Sequence, residues 1–389
     1  MLSSIAHARL VCRALFGAFV FVAVYPGAAS LEAQPERPFL WRIERDPPSF
    51  LFGTVHLADS RLARLPPAVT RAQDATGTTY IELDPFVDFP EPMLLLPWNQ
   101  RLSDSLNRSE SDRITALLRR HNPHFQFHFI DDLKPWVLEM TLLFLEEEAL
   151  GPPPDEPILD LVIYERALQR GHAVGELETF AEQIGAFDAV PFALQIESLM
   201  ETVAAIEDWI QDGDDPLEEL ILAYLSGDES ALTAALFEGD DALPPEVFEA
   251  LFLHRNETMA RRMDRKMRDN PHNAFFFAVG VGHYVGKDSI NEMLEAKGHR
   301  VTRVQSNDWP WLLDIIHDDG WRRSPWFGQY AAREGDDWLY HRRLGWFFAA
   351  EGHGGLYLHR HGQGWFWTQP DTFPALFDLT ARRWLPRGG

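Results

Sequence analysis

The feature that most constrains the fold is an alternation of strand-like and helical runs that is interrupted and later resumed. Short apolar runs at 39–43 and 49–53, separated by Asp46-Pro47-Pro48, predict a hairpin. A helix beginning at Pro66-Pro67 and a strand over 78–83 follow. This order of elements predicts an α/β fold rather than a helical bundle or an all-β sandwich.

A long helical middle interrupts this pattern. It includes 109–121, 135–150, 157–170 and several stretches between 188 and 270, with a break at Gly151-Pro152-Pro153-Pro154. The earlier pattern then returns as a strand, a helix and a strand at 274–280, 287–297 and 300–304. We therefore predict one α/β domain over 31–306, in which a mixed sheet carries a large helical insertion.

The C-terminal residues 307–389 have a different composition, rich in tryptophan, histidine and arginine. Trp346, Trp365 and Trp384 recur every 19 residues, which predicts repeated pairs of short aromatic strands. We expect a small aromatic-rich β repeat module. Its aromatic rings either pack on one another or form a surface for a cell-envelope ligand.

The N-terminal residues 1–30 have the layout of a signal peptide. They contain no acidic residue, and Arg9 and Arg13 precede an apolar run over 14–25 that is too short to span a bilayer. The sequence thus predicts an exported protein, periplasmic or secreted, with no transmembrane span in the mature chain. Cys12 is the only cysteine, and it lies within the predicted signal peptide. The mature chain would therefore have no thiol, so catalysis must use histidine, carboxylates, hydroxyls or a metal.

The net charge of −24 bears on partners, because it opposes the binding of phosphate backbones and excludes nucleic acid as the expected ligand. A peptide or a small molecule is the expected substrate. The sequence leaves the oligomeric state open.

Two Gly-x-x-His motifs carry the candidate chemistry. His56 ends Gly53-Thr54-Val55-His56, and His283 ends Gly280-Val281-Gly282-His283, each after an apolar strand. Glu82 lies at the end of a third strand. Because ligands of open α/β sheets gather beyond the carboxyl ends of strands, these side chains are expected to meet. Two imidazoles and one carboxylate predict a three-ligand metal site with open positions, although a structural role for each histidine is the alternative.

The glycine pattern after the strand at 274–280 permits a second interpretation. Gly280-x-Gly282-x-x-x-Gly286 is similar to a dinucleotide-binding turn. That interpretation fits less well, because the strand at 300–304 is followed by Gln305-Ser306 rather than by an acidic residue.

Several blocks in order resemble the TraB/GumN family, and in particular its Tiki-like branch. They include the segment 39–49, the first Gly-x-x-His motif, Glu82-Leu83-Asp84 and, further on, the blocks at 157–160, 175–183, Arg255-Asn256 and 275–286. The resemblance covers about residues 38–304. It implies an α/β fold shared with erythromycin-esterase-like and ChaN-like proteins, and a divalent-metal-dependent peptidase with manganese or cobalt favoured and zinc as a further candidate.

The resemblance also implies roles for individual residues. His56, Glu82 and His283 take the positions of metal ligands or of a general base, and Arg255 that of an oxyanion or substrate clamp, with a helix-surface salt bridge as its alternative. Glu178 is expected to be a structural carboxylate at a strand end or to support a ligand, and Asp84 to orient a ligand or lie in a solvated turn. A non-catalytic protein that binds or inhibits a peptide or signal is the alternative to the hydrolase.

Overall fold

The first sheet is mixed and has six strands in the order β4-β3-β5-β2-β1-β6. Its strands are β1 Leu40–Ile43, β2 Ser49–Thr54, β3 Thr78–Ile81, β4 Ala173–Glu176, β5 Phe275–Gly280 and β6 Val301–Arg303. The computed structural model describes residues 37–57, 61–62, 65–85, 90–150, 158–212, 217–238, 243–304, 314–316, 321–324, 326–332, 338–352 and 355–385. The predicted signal peptide and the predicted boundary at 306 lie outside these residues.

The centre of this sheet is parallel. β5 lies between β2 and β3 and is parallel to both, while β4 is parallel to β3. β1 runs antiparallel to β2 and to β6, as the predicted hairpin requires. Every residue of β2 and β5 is buried, which explains why both read as continuous apolar runs. The carboxyl ends of β2, β3 and β5 consequently meet at one edge.

The helices lie in segments that the sequence pattern predicts, except the helix Phe180–Ala189, which begins before the predicted stretches that start at 188. They are α1 Pro67–Asp74, α2 Arg108–His121, α3 Pro135–Leu150, α4 Leu159–Gln169, α5 Phe180–Ala189, α6 Phe192–Asp212, α7 Glu218–Ser226, α8 Glu229–Phe237, α9 Pro245–Phe248, α10 His254–Asp269 and α11 Ile290–Ala296. A π-helical turn, Glu249–Leu253, joins α9 to α10. Part of the insertion, built on α2, α3, α5 and α6, has a hydrophobic core separate from that of the sheet.

The second sheet is an antiparallel meander of nine strands that pair in chain order. They are β7 Ile315–Ile316, β8 Trp321–Ser324, β9 Gly328–Ala332, β10 Trp338–His341, β11 Gly345–Gly352, β12 Gly355–Arg360, β13 Gly364–Thr368, β14 Leu376–Asp378 and β15 Arg383–Leu385. Trp346, Trp365 and Trp384 lie on β11, β13 and β15, so the 19-residue spacing corresponds to a pair of strands.

The two faces of the meander differ. One face packs a core that includes Phe327, Phe347 and Phe366. The other exposes aromatic rings that contact one another across the strands, such as Tyr340 and Trp346 with ring centroids 5.3 Å apart. The expectation that the rings pack on one another is confirmed, and the expectation of a ligand surface stays a prediction.

The predicted fold class is confirmed: a mixed α/β sheet carries a helical insertion and is followed by an aromatic-rich β sheet. Among the described residues, no single helix has both the length and the apolar character needed to cross a bilayer. The bent pair α5 and α6 meets those two criteria when taken together, with a bend of 90° between its helices.

Candidate active site

His56 follows β2 and has its Nδ1 atom tied to a carboxylate. Asp160, in the first turn of α4, places Oδ2 2.8 Å from His56 Nδ1. Thr54, at the end of β2, donates its hydroxyl to Asp160 Oδ1 at 2.7 Å and so holds that carboxylate. The side chain of His56 is 53% exposed, so solvent reaches the ring. The charge of Asp160 raises the pKa of His56 well above its ordinary value, and contact with Glu82 acts in the same direction, while the partial loss of solvent around the ring opposes both.

His283 follows β5 on a short 3₁₀ turn, Val281–His283, and is buried. Its Nδ1 atom lies 2.6 Å from Oδ1 of Asn256, which α10 supplies. Burial, together with the nearby positive charge of Arg255, lowers the pKa of His283 to about 3. The imidazole is therefore neutral at physiological pH. In both histidines Nδ1 is engaged, which leaves Nε2 for other contacts.

Glu82, the residue after β3, brings the two histidines to one oxygen atom. Its Oε1 lies 3.8 Å from Nε2 of His56 and 3.9 Å from Nε2 of His283. The backbone N–H of Gly280 donates to the same oxygen at 2.5 Å. A Cβ atom on Gly280 would lie 3.0 Å from this oxygen and 3.1 Å from His56 Nε2. Glycine at the end of β5 therefore leaves the space in which the three groups meet.

Arg255, near the start of α10, joins two buried carboxylates. Its Nη2 donates to Glu82 Oε2 at 2.8 Å and to Glu178 Oε2 at 2.7 Å, and its Nε donates to both oxygens of Glu178. The side chain of Arg255 is only 12% exposed. The alternative prediction, a salt bridge on the helix surface, is therefore wrong. Burial raises the pKa of Glu82, but His56, Arg255 and His283 together hold it well below its ordinary value. Glu82 is therefore a carboxylate.

A match with a family model shows to which protein family the chain belongs. The model of the TraB/PrgY/gumN family matches residues 39–303, which include all four predicted site residues and most of the chain. The chain belongs to this family.

Curated relatives carry the name of a metalloprotease. "Metalloprotease TIKI2" of Danio rerio is 26% identical over 320 residues, which cover 68% of this chain and 60% of that protein. "Metalloprotease TIKI1" of Homo sapiens is 25% identical over 335 residues, covering 71% of this chain and 64% of that protein. The chain thus spans less than two thirds of the length of these relatives. No solved structure matches it.

The donor set of this TraB/PrgY/gumN member suits a divalent ion in its chemistry. Metal–ligand bonds to imidazole and carboxylate are about 2.0–2.2 Å long, so two ligands of one ion lie no more than about 4.4 Å apart. The separations of 3.8 and 3.9 Å satisfy that limit. In the part of the chain that the structure describes, however, no three His, Cys, Asp or Glu side chains form a ready-made metal cluster. Glu82 is instead bonded to Arg255 and Gly280.

The structure adds Asp160 and Asn256 to the residues that the sequence singled out. Both lie within blocks that resemble the family, and no other sequence signal marks them, because each sits on a helix rather than at a strand end. Asp84 was expected to orient a ligand or to lie in a solvated turn. Its charge acts on Tyr164 and Glu176, whose pKa values are raised first by burial and then by Asp84.

Proposed function

We propose that the protein is an exported, metal-dependent hydrolase, a peptidase of the Tiki-like branch, with His56, Glu82 and His283 as the metal ligands. One observation carries the proposal: Nε2 of both histidines faces the same oxygen of Glu82 while each Nδ1 is engaged elsewhere. The names of the relatives support a metal and the cleavage of peptide bonds. Manganese or cobalt is the favoured ion, and zinc is the third candidate.

The residues of the site divide the work. When bound, a divalent ion supplies Lewis acidity and lowers the pKa of a water molecule. His283 offers a neutral Nε2 lone pair, His56 would offer its Nε2 atom once the proton there is displaced, and Glu82 contributes a negative charge and an oxygen donor. The exposed side of His56 is where a peptide enters. Arg255 uses three N–H groups on the two carboxylates and one on the carbonyl of Leu251, so one N–H of Nη1 remains to bind a developing oxyanion.

Metal content and peptide cleavage test this proposal together. We expect the purified protein to bind Mn²⁺, Co²⁺ or Zn²⁺ and to cleave members of a peptide library, with loss of cleavage in a chelator. His56→Ala and His283→Ala should lose both metal and cleavage while melting within a few degrees of wild type. His299→Ala is the matched control, because His299 also pairs with a carboxylate, Asp264 at 2.8 Å, but outside the site. Metal binding and turnover in both site variants would refute the proposal.

The alternative is a non-catalytic protein that binds or inhibits a peptide or signal on the same scaffold. Such a protein needs neither the metal nor the two histidines. Binding of a peptide by His56→Ala with unchanged affinity, and no cleavage by wild type with any of the three ions, would favour this function.

For the aromatic face of the second sheet we propose a cell-envelope glycan as the ligand. Five side chains with exposed fractions from 36% to 61% share this face: Trp338, Tyr340, Trp346, Trp365 and Trp384. Indole rings combine an apolar face with a polar N–H, which suits amphipathic ligands such as sugars. Trp346→Ser should weaken retention on insoluble envelope glycan. Trp98→Ser is the control, because Trp98 is 88% exposed in the insertion. Equal retention of both variants would refute this role.

A further inference from the structure

The orientation of Asn256 determines which nitrogen of His283 carries hydrogen. Asn256 is 1% exposed, and its Nδ2 donates to the backbone carbonyl of Asp288 at 2.8 Å. A carbonyl oxygen only accepts hydrogen bonds, so the amide nitrogen must face Asp288 and the amide oxygen must face His283. The amide oxygen cannot donate either. The 2.6 Å contact therefore requires the hydrogen to sit on Nδ1 of His283.

The loop that carries Asp288 is itself held in place. Asp288 has φ 56°, a left-handed conformation that non-glycine residues seldom adopt. Its backbone N–H donates to Glu292 Oε2 at 2.9 Å, on the first turn of α11. This bond fixes the direction of the loop, and the carbonyl of Asp288 then points at Asn256.

His56 has a carboxylate where His283 has an amide. Oδ2 of Asp160 lies 2.8 Å from Nδ1 of His56 as an ion pair, and because a carboxylate has no hydrogen to donate, this approach favours a hydrogen on Nδ1. Thr54 fixes the other oxygen of Asp160 in the way that Asp288 fixes the amide of Asn256.

We propose that Asn256 and Asp160 are positioning residues: Asn256 sets the Nδ1–H tautomer of His283, Asp160 keeps a hydrogen on Nδ1 of His56, and both Nε2 atoms are thereby directed at Glu82. The Nε2 lone pair of His283 lies 3.9 Å from a carboxylate oxygen, and a divalent ion held here would offset their repulsion and take the place of the Nε2 proton of His56. The part of this inference that concerns the metal rests on the proposed function. The part that concerns the tautomer of His283 in metal-free protein is independent of it.

The test reads the tautomer directly. Protein labelled with ¹⁵N in its histidines is stripped of metal, and long-range ¹H–¹⁵N spectra report which ring nitrogen is protonated, with His283→Gln identifying the signals of His283. We expect wild type to show hydrogen on Nδ1 and none on Nε2. In Asn256→Leu, which removes the acceptor, we expect a substantial Nε2–H population and about 10- to 100-fold weaker binding of Mn²⁺.

Asn291→Leu is the matched control. Asn291 also donates its Nδ2 to a carbonyl of the same loop, that of Tyr284 at 2.8 Å, and it is not part of the site. We expect this variant to keep both the tautomer and the affinity of wild type. The same tautomer shift in Asn291→Leu would overturn the proposal by assigning the effect to loop packing, and so would an unchanged tautomer in Asn256→Leu.

The wild-type spectrum needs no variant at Asn256, so it decides the matter even where Asn256→Leu does not fold. Hydrogen on Nε2 of His283 in that spectrum overturns the inference. A protein that shows the Nδ1–H tautomer but binds none of the three ions would refute the proposed function and leave the tautomer assignment standing.

Discussion

At the scale of single residues, Gly280 is the position where one added methyl group is most informative. Gly280→Ala would place Cβ about 3 Å from Glu82 Oε1 and His56 Nε2, so we expect loss of metal binding and turnover with the fold retained. Gly185→Ala is the control, because a Cβ there meets nothing within 4 Å and lies in α5. That variant should be more stable by about 0.5–1 kcal/mol and fully active. Thermal melts and metal titrations of both variants check the prediction.

Arg255 is expected to matter for stability as well as for chemistry. Arg255→Ala leaves Glu82 and Glu178 as buried carboxylates without their cation, and breaking a buried pair in this way costs about 3–5 kcal/mol. Arg113→Ala is the control, since Arg113 makes a similar bidentate contact with Glu207 but both side chains are over a third exposed. It should cost less than about 1 kcal/mol. Equal losses in urea unfolding would contradict the prediction.

The sequence alone predicts the site residues at strand ends better than it predicts the residues that hold those side chains in place. His56, Glu82 and His283 could be named because each follows a recognisable strand, and the structure brings them together. Asp160 and Asn256 reach the site only through the docking of α4 and α10 on the sheet. Local sequence patterns do not encode that docking, so the contacts of these two residues could not be predicted.

At the scale of elements, two helices begin with the same capping arrangement but at different distances from the site. Thr179 caps α5 directly after Glu178, and Asn107 caps α2 in the insertion; each forms a reciprocal pair with a glutamate three residues later. Thr179→Ala and Asn107→Ala should each cost about 1 kcal/mol. We expect only Thr179→Ala to slow turnover, because the cap fixes the backbone of Glu178. Slower turnover in Asn107→Ala would contradict this.

Strands and helices differ in how well the sequence predicts them. β2 and β5 are buried on both faces and read as apolar runs, whereas β4 is a short edge strand whose four residues are exposed or half-buried, so its bounds could not be predicted. The π-helical turn before α10, Glu249–Leu253, could not be predicted either, because its amino-acid composition is that of an ordinary α-helix. The aromatic repeat predicted the meander because each unit is complete within a short stretch of chain.

At the scale of the whole molecule, a buried polar contact joins the two sheets. Arg42 of β1 donates to the backbone carbonyl of Asp314, and Tyr330 of β9 donates to the carboxyl group of Asp314. Burial raises the pKa of Asp314 to about 7. The folded protein therefore holds a proton that the unfolded chain has released by about pH 4, so this contribution to stability falls as the pH rises from 4 to 7.

Asp314→Asn tests this contact between the two sheets, because an amide does not titrate. We expect unfolding free energies measured from pH 4 to pH 8 to decline less steeply with pH in Asp314→Asn than in wild type. Parallel curves would exclude Asp314 as the titrating group. We also expect the predicted domain of residues 31–306 to fold without the second sheet. That fragment lacks Asp314 but keeps Glu44, which pairs with Arg42 at 3.2 Å, and a cooperative thermal melt of the fragment checks this.

The pairing of β2 with β5 has a consequence for biosynthesis. These neighbouring strands are separated by more than two hundred residues of chain, so a ribosome delivers His56 and Glu82 long before His283. All residues of the core of the insertion are synthesised before β5. The centre of the sheet, in contrast, is complete only after β5 has been synthesised. An incomplete chain thus lacks the pair of histidines on which the proposed cleavage depends. The proposed cleavage would therefore be withheld until the ribosome has passed His283.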